Sequence, residues 1–234
     1  LGPPGSGKST LLRWLAHTLS TDALAGRTDR VPIFVDLSRY GEAGSDGAPP
    51  RPLDWLAERW AGHQPDLPPL GTLMRAGRVV FLFDALNEIP HACDAVYAER
   101  LRAWKHFLAD DLTIHPGNRA VLSCRTMAHR VAMSTAALPI TRVVVEGLDA
   151  EGVRALIGRR DPDRGREVAD AVIGGPLFDL ARSPFMAALL AQPDVDVRRQ
   201  GCAEVLTRYV RQALVRELAA DNPIVTSSAV LAGH

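Results

Sequence analysis

The sequence is almost without lysine. Of its 27 basic residues, 25 are arginine, and only Lys8 and Lys105 are lysine. Net charge is also missing, with 27 basic residues against 27 acidic ones. No overall field therefore gathers nucleic acid or an anionic membrane surface. Cysteine is scarce: Cys93, Cys124 and Cys202 are an odd number with no CxxC spacing. That argues against a disulfide framework and a thiolate zinc site, and fits a reducing cytosol. No apolar run reaches the roughly 18 residues that a membrane-spanning helix needs. No signal-peptide pattern and no internal repeat occur. What remains is a 234-residue chain, 47% hydrophobic, suited to one large domain or to a core with a small helical appendage.

The apolar pattern alternates between strand and helix. "VPIFVDL" (Val31–Leu37), "RVVFLFD" (Arg78–Asp84), "RAVLSC" (Arg119–Cys124) and "RVVVEGL" (Arg142–Leu148) read as four buried strands. Between them, Ser9–Ser20, Leu53–Gly62 and the stretch "ACDAVYAERLRAWKHFLADD" carry helical spacing. Gly41–Pro52, rich in Gly and Pro, reads as a loop. After Asp149 only helical segments follow, at 150–159, 164–173, 177–192 and 202–220. This order predicts a three-layer α/β sandwich with a parallel sheet over 1–149, then a small helical subdomain or lid over 150–234.

"GPPGSGKS" (Gly2–Ser9) matches G-x-x-x-x-G-K-[ST], the Walker A or P-loop pattern. Gly2, Gly5 and Gly7 let the backbone turn its N–H groups around a phosphate without Cβ clashes, and Ser6 lies within that turn. The helix starting near Lys8 points its positive end at the same place. Lys8 would reach the β- and γ-phosphates, Ser9 would ligate Mg²⁺, and Thr10 could add a hydroxyl near the α-phosphate. A chain that writes Arg almost everywhere has Lys here, where a compact three-donor ammonium must fit between phosphates.

A P-loop says only "nucleotide". Asp84 follows five apolar residues and should emerge at the C-terminal edge of the sheet, placed to hold Mg²⁺. Glu88, four residues on, is placed to activate a water as general base. In "AVLSCRT", polar Ser123 and then Arg125 end a strand, and Arg125 could read the γ-phosphate by bidentate bonding. Cys124 reads as core. In "LARSPFMAALL", Pro184 should break or start a helix, and could also press on an adenine ring.

These features, in this order, resemble the NACHT family of STAND NTPases, within the ASCE group of P-loop proteins. The likeness runs from Gly2 to about Ala220. "GPPGSGKST" looks like the family's Walker A, "FLFDALNEIP" like its extended Walker B, and "VLSCRT" like its sensor 1. "VPIFVDLSRY" and "RVVVEGLDAEGVRALI" look like its second and fifth strands, and "LARSPFMAALL" like its nucleotide-contacting proline segment. The resemblance implies ATP and ADP with Mg²⁺ as ligands. It implies a switch that oligomerises with copies of itself, in a cytoplasmic signalling or defence protein whose effector and sensor domains flank this one. The Arg bias and Walker B wording point to a bacterial member. Asn87 departs from the pattern, because the family often has Asp there. The opening on Leu1 is read as a first strand cut short, and the ending as a chain lacking the family's C-terminal winged helix. The balanced charge and the absence of a long apolar run leave nucleic acid and membrane out of the expected partners.

Three other readings share the P-loop. A mechanical AAA+ ATPase would need an arginine finger and a lid arginine, for which Arg182 or Arg208 can be nominated, though neither sits in a recognisable motif. A small-molecule or nucleotide kinase needs no water activator such as Glu88. A non-hydrolysing nucleotide scaffold would make no use of Glu88 either. No NKxD segment of the GTPase type occurs.

Overall fold

The computed structural model describes residues 1–41, 49–126, 134 and 139–219, with side chains to residue 215. The expected loop at Gly41–Pro52 lies mostly outside the described residues. The chain forms two compact units, Leu1–Val145 and Glu146–His234.

The first unit is built on a parallel three-stranded sheet in the order β1-β2-β3, with β1 Val31–Asp36, β2 Val79–Asp84 and β3 Arg119–Leu122. β2 is central, and all six of its residues are buried. That explains its unbroken apolar run, since helices cover both faces of the sheet. Val80 and Leu82 face α1 (Lys8–Leu24) and pack with Leu12. Val79, Phe81 and Phe83 face the larger core on the other side. There Phe81 and Phe83 stack at 5.1 Å, and Phe83 meets Trp104 edge-on at 5.0 Å. Tyr40 and Trp55 complete this aromatic cluster around Trp104.

This second layer comes from α2 (Pro52–His63), α3 (Leu70–Arg75) and α4 (Asp94–His106). The short α3 has no counterpart in the sequence reading. Its Leu70, Leu73 and Met74 have helical spacing and are buried, but two prolines and Gly71 mask so short a signal. α4 does not run on as one α-helix to Asp111. It widens into a π-helical turn at Phe107–Asp111, and the Leu112 N–H bonds to the Phe107 carbonyl. The wider turn keeps Phe107, Leu108 and Leu112 all in the core.

The expected fourth strand at Arg142–Leu148 is not formed as a strand. The Leu1 amino group donates to the Val143 carbonyl at 2.7 Å, and the Val145 N–H donates to the Leu1 carbonyl at 2.7 Å. These two bonds bracket one residue, which is too little pairing to make a ladder. Val143 and Val144 are exposed. On its other side this terminus meets Arg125 through an isolated parallel bridge from Gly2.

The second unit is helical: α5 Ala150–Arg160, α6 Gly165–Ile173, α7 Phe178–Ala181, α8 Pro184–Leu190 and α9 Cys202–Ala219. Asp149 caps α5, its Oδ1 accepting from the Gly152 N–H at 2.7 Å. Gly165 allows close approach of α6 to α5, since a Cβ there would lie 2.6 Å from Gly158 Cα. Pro184 splits the expected 177–192 helix and stands first in α8. Val153, Ile157, Val172, Ala187 and Leu190 form the core of this unit. Among the described residues, no helix is long and apolar enough to cross a membrane.

Candidate nucleotide-binding site

The glycine turn at Gly2–Ser9 needs its glycines. Gly5 and Gly7 have φ of 74° and 85°, a region that costs residues with a Cβ. At Gly2 the constraint is space, because a Cβ would come within 2.6 Å of Ser6 Oγ. Gly7 is also the N-cap of α1 and supplies no capping side chain, and the first turn of α1 holds no acid. The positive end of the 17-residue helix therefore faces the loop without a neutralising carboxylate of its own. Lys8 Nζ donates to the carbonyls of Gly2 at 2.9 Å and Pro3 at 2.8 Å, with Ser6 Oγ at 3.4 Å. Partial burial pulls the Lys8 ammonium below its ordinary pKa, with the Arg125 guanidinium adding to the effect. Asp84 and Glu88 act in the opposite direction. Ser9 and Thr10 follow in the first turn of α1, with Ser9 half-buried and Thr10 exposed.

Asp84 ends β2 and is only 5% exposed. A buried carboxylate needs a donor, and Ser123 supplies it by donating its hydroxyl to Asp84 Oδ1. The same Ser123 Oγ accepts from the Ala85 N–H at 2.9 Å, and the Ser123 carbonyl accepts from the Leu86 N–H at 3.0 Å. Ala85 has a φ of 60° and is the one non-glycine residue at positive φ among the described residues. It reverses the chain into a 3₁₀ turn at Leu86–Glu88. Buried Leu86 and Ile89 anchor this turn from both sides. Glu88 Oε1 then meets the Arg125 guanidinium at 2.7 Å, and both side chains are about half exposed. The Arg125 backbone N–H donates to Asn87 Oδ1 at 2.9 Å.

Lys8, Asp84, Glu88 and Arg125 thus share one electrostatic neighbourhood at the C-terminal edge of the sheet. The Gly2–Arg125 bridge joins the glycine turn to the end of the third strand. Pro184 stands in the other unit, at the head of α8. Of the two nominated lid arginines, Arg208 pairs with Asp194 at 3.2 Å, and Arg182 accepts through its carbonyl from the Leu148 N–H at 2.7 Å. Cys124 is buried, and burial pushes its thiol above the usual pKa.

The contacts of two residues escaped the sequence reading. Ser123 is visible there as a polar end to a strand, but its bonds to Asp84 and Ala85 depend on the β2–β3 register. Asn87 is visible as a departure from a pattern, but its partner lies 38 residues on.

A search of curated proteins finds no match. A family model described as NACHT domain matches residues 1–163, that is, 163 of the 234 residues. NACHT domains are P-loop nucleoside-triphosphatase domains, which agrees with a glycine turn, a helix-leading lysine and a strand-end aspartate on one parallel sheet. The chain belongs to the NACHT domain family.

Proposed function

We propose that the chain is an ATP-binding and slowly hydrolysing switch whose nucleotide state governs its oligomerisation with copies of itself in a signalling or defence protein. The observation that carries the reading is the meeting of four groups at one sheet edge: the Lys8 ammonium, the Asp84 carboxylate, and the Glu88–Arg125 pair. Lys8, the Gly5–Gly7 turn and the N–H groups at the head of α1 would cradle the phosphates, with the Ser6 N–H donating at 3.3 Å to the Pro3 carbonyl within the turn. The donor set suits magnesium, a hard cation that takes oxygen ligands and keeps waters and phosphate oxygens around it. Among the described residues no group of three or more His, Cys, Asp or Glu could hold a metal by itself. This fits an ion held by Ser9 and Asp84 that shares the nucleotide. Bound there, magnesium would neutralise phosphate charge. Glu88 orients and deprotonates the attacking water, and Arg125 reads the γ-phosphate.

The strand arrangement supports an ASCE-type core. Leu1–Gly2 lies between Arg125 and Val143–Val145, beyond β3. We assign 1–149 to the NTPase core and 150–234 to the helical subdomain, which contains Pro184 at the head of α8. These assignments rest on family resemblance, as does ATP over GTP.

The test pairs two variants. Lys8→Ala is expected to lose ATP binding by calorimetry. Glu88→Gln is expected to keep binding and lose phosphate release. Wild-type affinity in the Lys8 variant sinks the site assignment. Unchanged turnover in the Glu88 variant favours a non-hydrolysing scaffold, and fast continuous turnover by the wild type favours a mechanical ATPase.

A further inference from the structure

Two segments far apart in sequence must be held in register for Glu88 to face Arg125. β2 and β3 pair only as far as Phe83–Leu122. Beyond that point the ladder ends: a backbone bond, from the Leu86 N–H to the Ser123 carbonyl at 3.0 Å, continues the connection, and side chains supply the rest. Ser123 ties the entry of the Walker B turn through Asp84, Ala85 and Leu86. At the exit of the turn Asn87 makes the tie, its Oδ1 accepting from the Arg125 backbone N–H at 2.9 Å. Asn87 is half-buried, and it sits between the residue that anchors the turn (Leu86) and the residue that carries the carboxylate (Glu88).

We propose that Asn87 is a positioning residue for hydrolysis. By fixing the Arg125 backbone, it aims the guanidinium that meets Glu88 at 2.7 Å. The bond needs an acceptor, which Asn and Asp both supply. Asn supplies it without a third carboxylate beside Asp84 and Glu88, where phosphate charge must also be accommodated. The Glu88–Arg125 pair is half exposed and takes little stability from solvent-screened attraction. Its geometry therefore depends on how well both backbones are fixed. The two side chains have many rotamers to lose, and Asn87 removes the backbone freedom that would compound them. This inference rests on the ATPase reading above.

The experiment uses the whole chain with ATP and Mg²⁺. Asn87→Ala is expected to lower kcat about 2- to 12-fold, the span of one net hydrogen bond. Its ATP affinity is expected to stay within about twofold of wild type, because Asn87 binds no nucleotide. Asn87→Asp, which keeps the acceptor, is expected to recover most of the rate. In an Arg125→Ala background, Asn87→Ala is expected to cost nothing more, because there is no guanidinium left to aim. The tryptophan-fluorescence unfolding midpoint of each variant checks that the fold is kept. A wild-type rate in Asn87→Ala, an equal loss in Asn87→Asp, or a full additional loss in the Arg125→Ala background each overturns the role. If instead wild type and Lys8→Ala bind ATP with the same affinity, the ATPase reading itself fails, and this role fails with it.

Discussion

Ser123 gives the sharpest quantitative prediction. Its hydroxyl donates to a carboxylate that is 5% exposed and accepts from the Ala85 N–H at 2.9 Å. Ser123 is itself 6% exposed, so water cannot readily replace either bond. A hydrogen bond to a charged group contributes about 1.5–3 kcal/mol and a neutral one about 0.5–1.5 kcal/mol. Ser123→Ala should therefore destabilise the first unit by about 2–4.5 kcal/mol. Removing only a hydroxyl leaves almost no cavity, so packing adds little. The assay is urea unfolding followed by tryptophan fluorescence. All four tryptophans (Trp14, Trp55, Trp60 and Trp104) lie in the Leu1–Val145 unit, so the signal reports that unit alone. A cycle with Asp84→Ala isolates the pair, with an expected coupling of about 1.5–3 kcal/mol. Asp84→Ala by itself can go either way, since it removes a buried charge as well as a bond. The coupling energy decides the matter: a value under about 0.5 kcal/mol would refute the reasoning. That result would mean that solvent or another donor satisfies Asp84.

The paired Lys8→Ala and Glu88→Gln variants separate binding from hydrolysis, as described above. Tyr40 offers a pH test. Burial pushes its phenol up to about 12 from 10.0, against a smaller opposing effect of Arg100, and its hydroxyl bonds to the Pro50 carbonyl. The folded state holds this proton more tightly than the unfolded chain does. Stability is therefore intact below pH 10 and falls as pH rises towards 12, by about 2–3 kcal/mol in all. Tyr40→Phe is expected to remove most of that slope, and an unchanged slope counts against the assignment. Ala85→Gly should stabilise the first unit by about 0.5–1 kcal/mol in the same urea assay. There, relief of the left-handed φ outweighs the extra freedom of glycine in the unfolded chain, and a net loss would show that Ala85 is unstrained.

Much of the chemistry was legible in one dimension because it is local. The P-loop is eight consecutive residues, with glycines where φ is positive and a lysine at the head of the helix. Asp84 and Glu88 are four apart, and the unbroken apolar run before them already marks a central strand. The π-helical turn in α4 and the short α3 were not legible. Both follow from what the core needed to bury at Phe107, Leu112, Leu70 and Met74, and local propensity is too weak to show it.

The residue types, their spacing and the alternation of strand and helix were thus determined by the sequence alone, since backbone sterics and apolar periodicity act over a few residues. Which distant groups meet was decided only by the tertiary structure. The β2–β3 register sets Ser123 against Asp84, and the turn at Ala85 then brings Asn87 and Glu88 to Arg125. The same is true of the segment around Val143, apolar enough for a strand yet formed without one. A strand is a relation between neighbours, and around Val144 the pairing with Leu1 consists of two bonds that bracket a single residue.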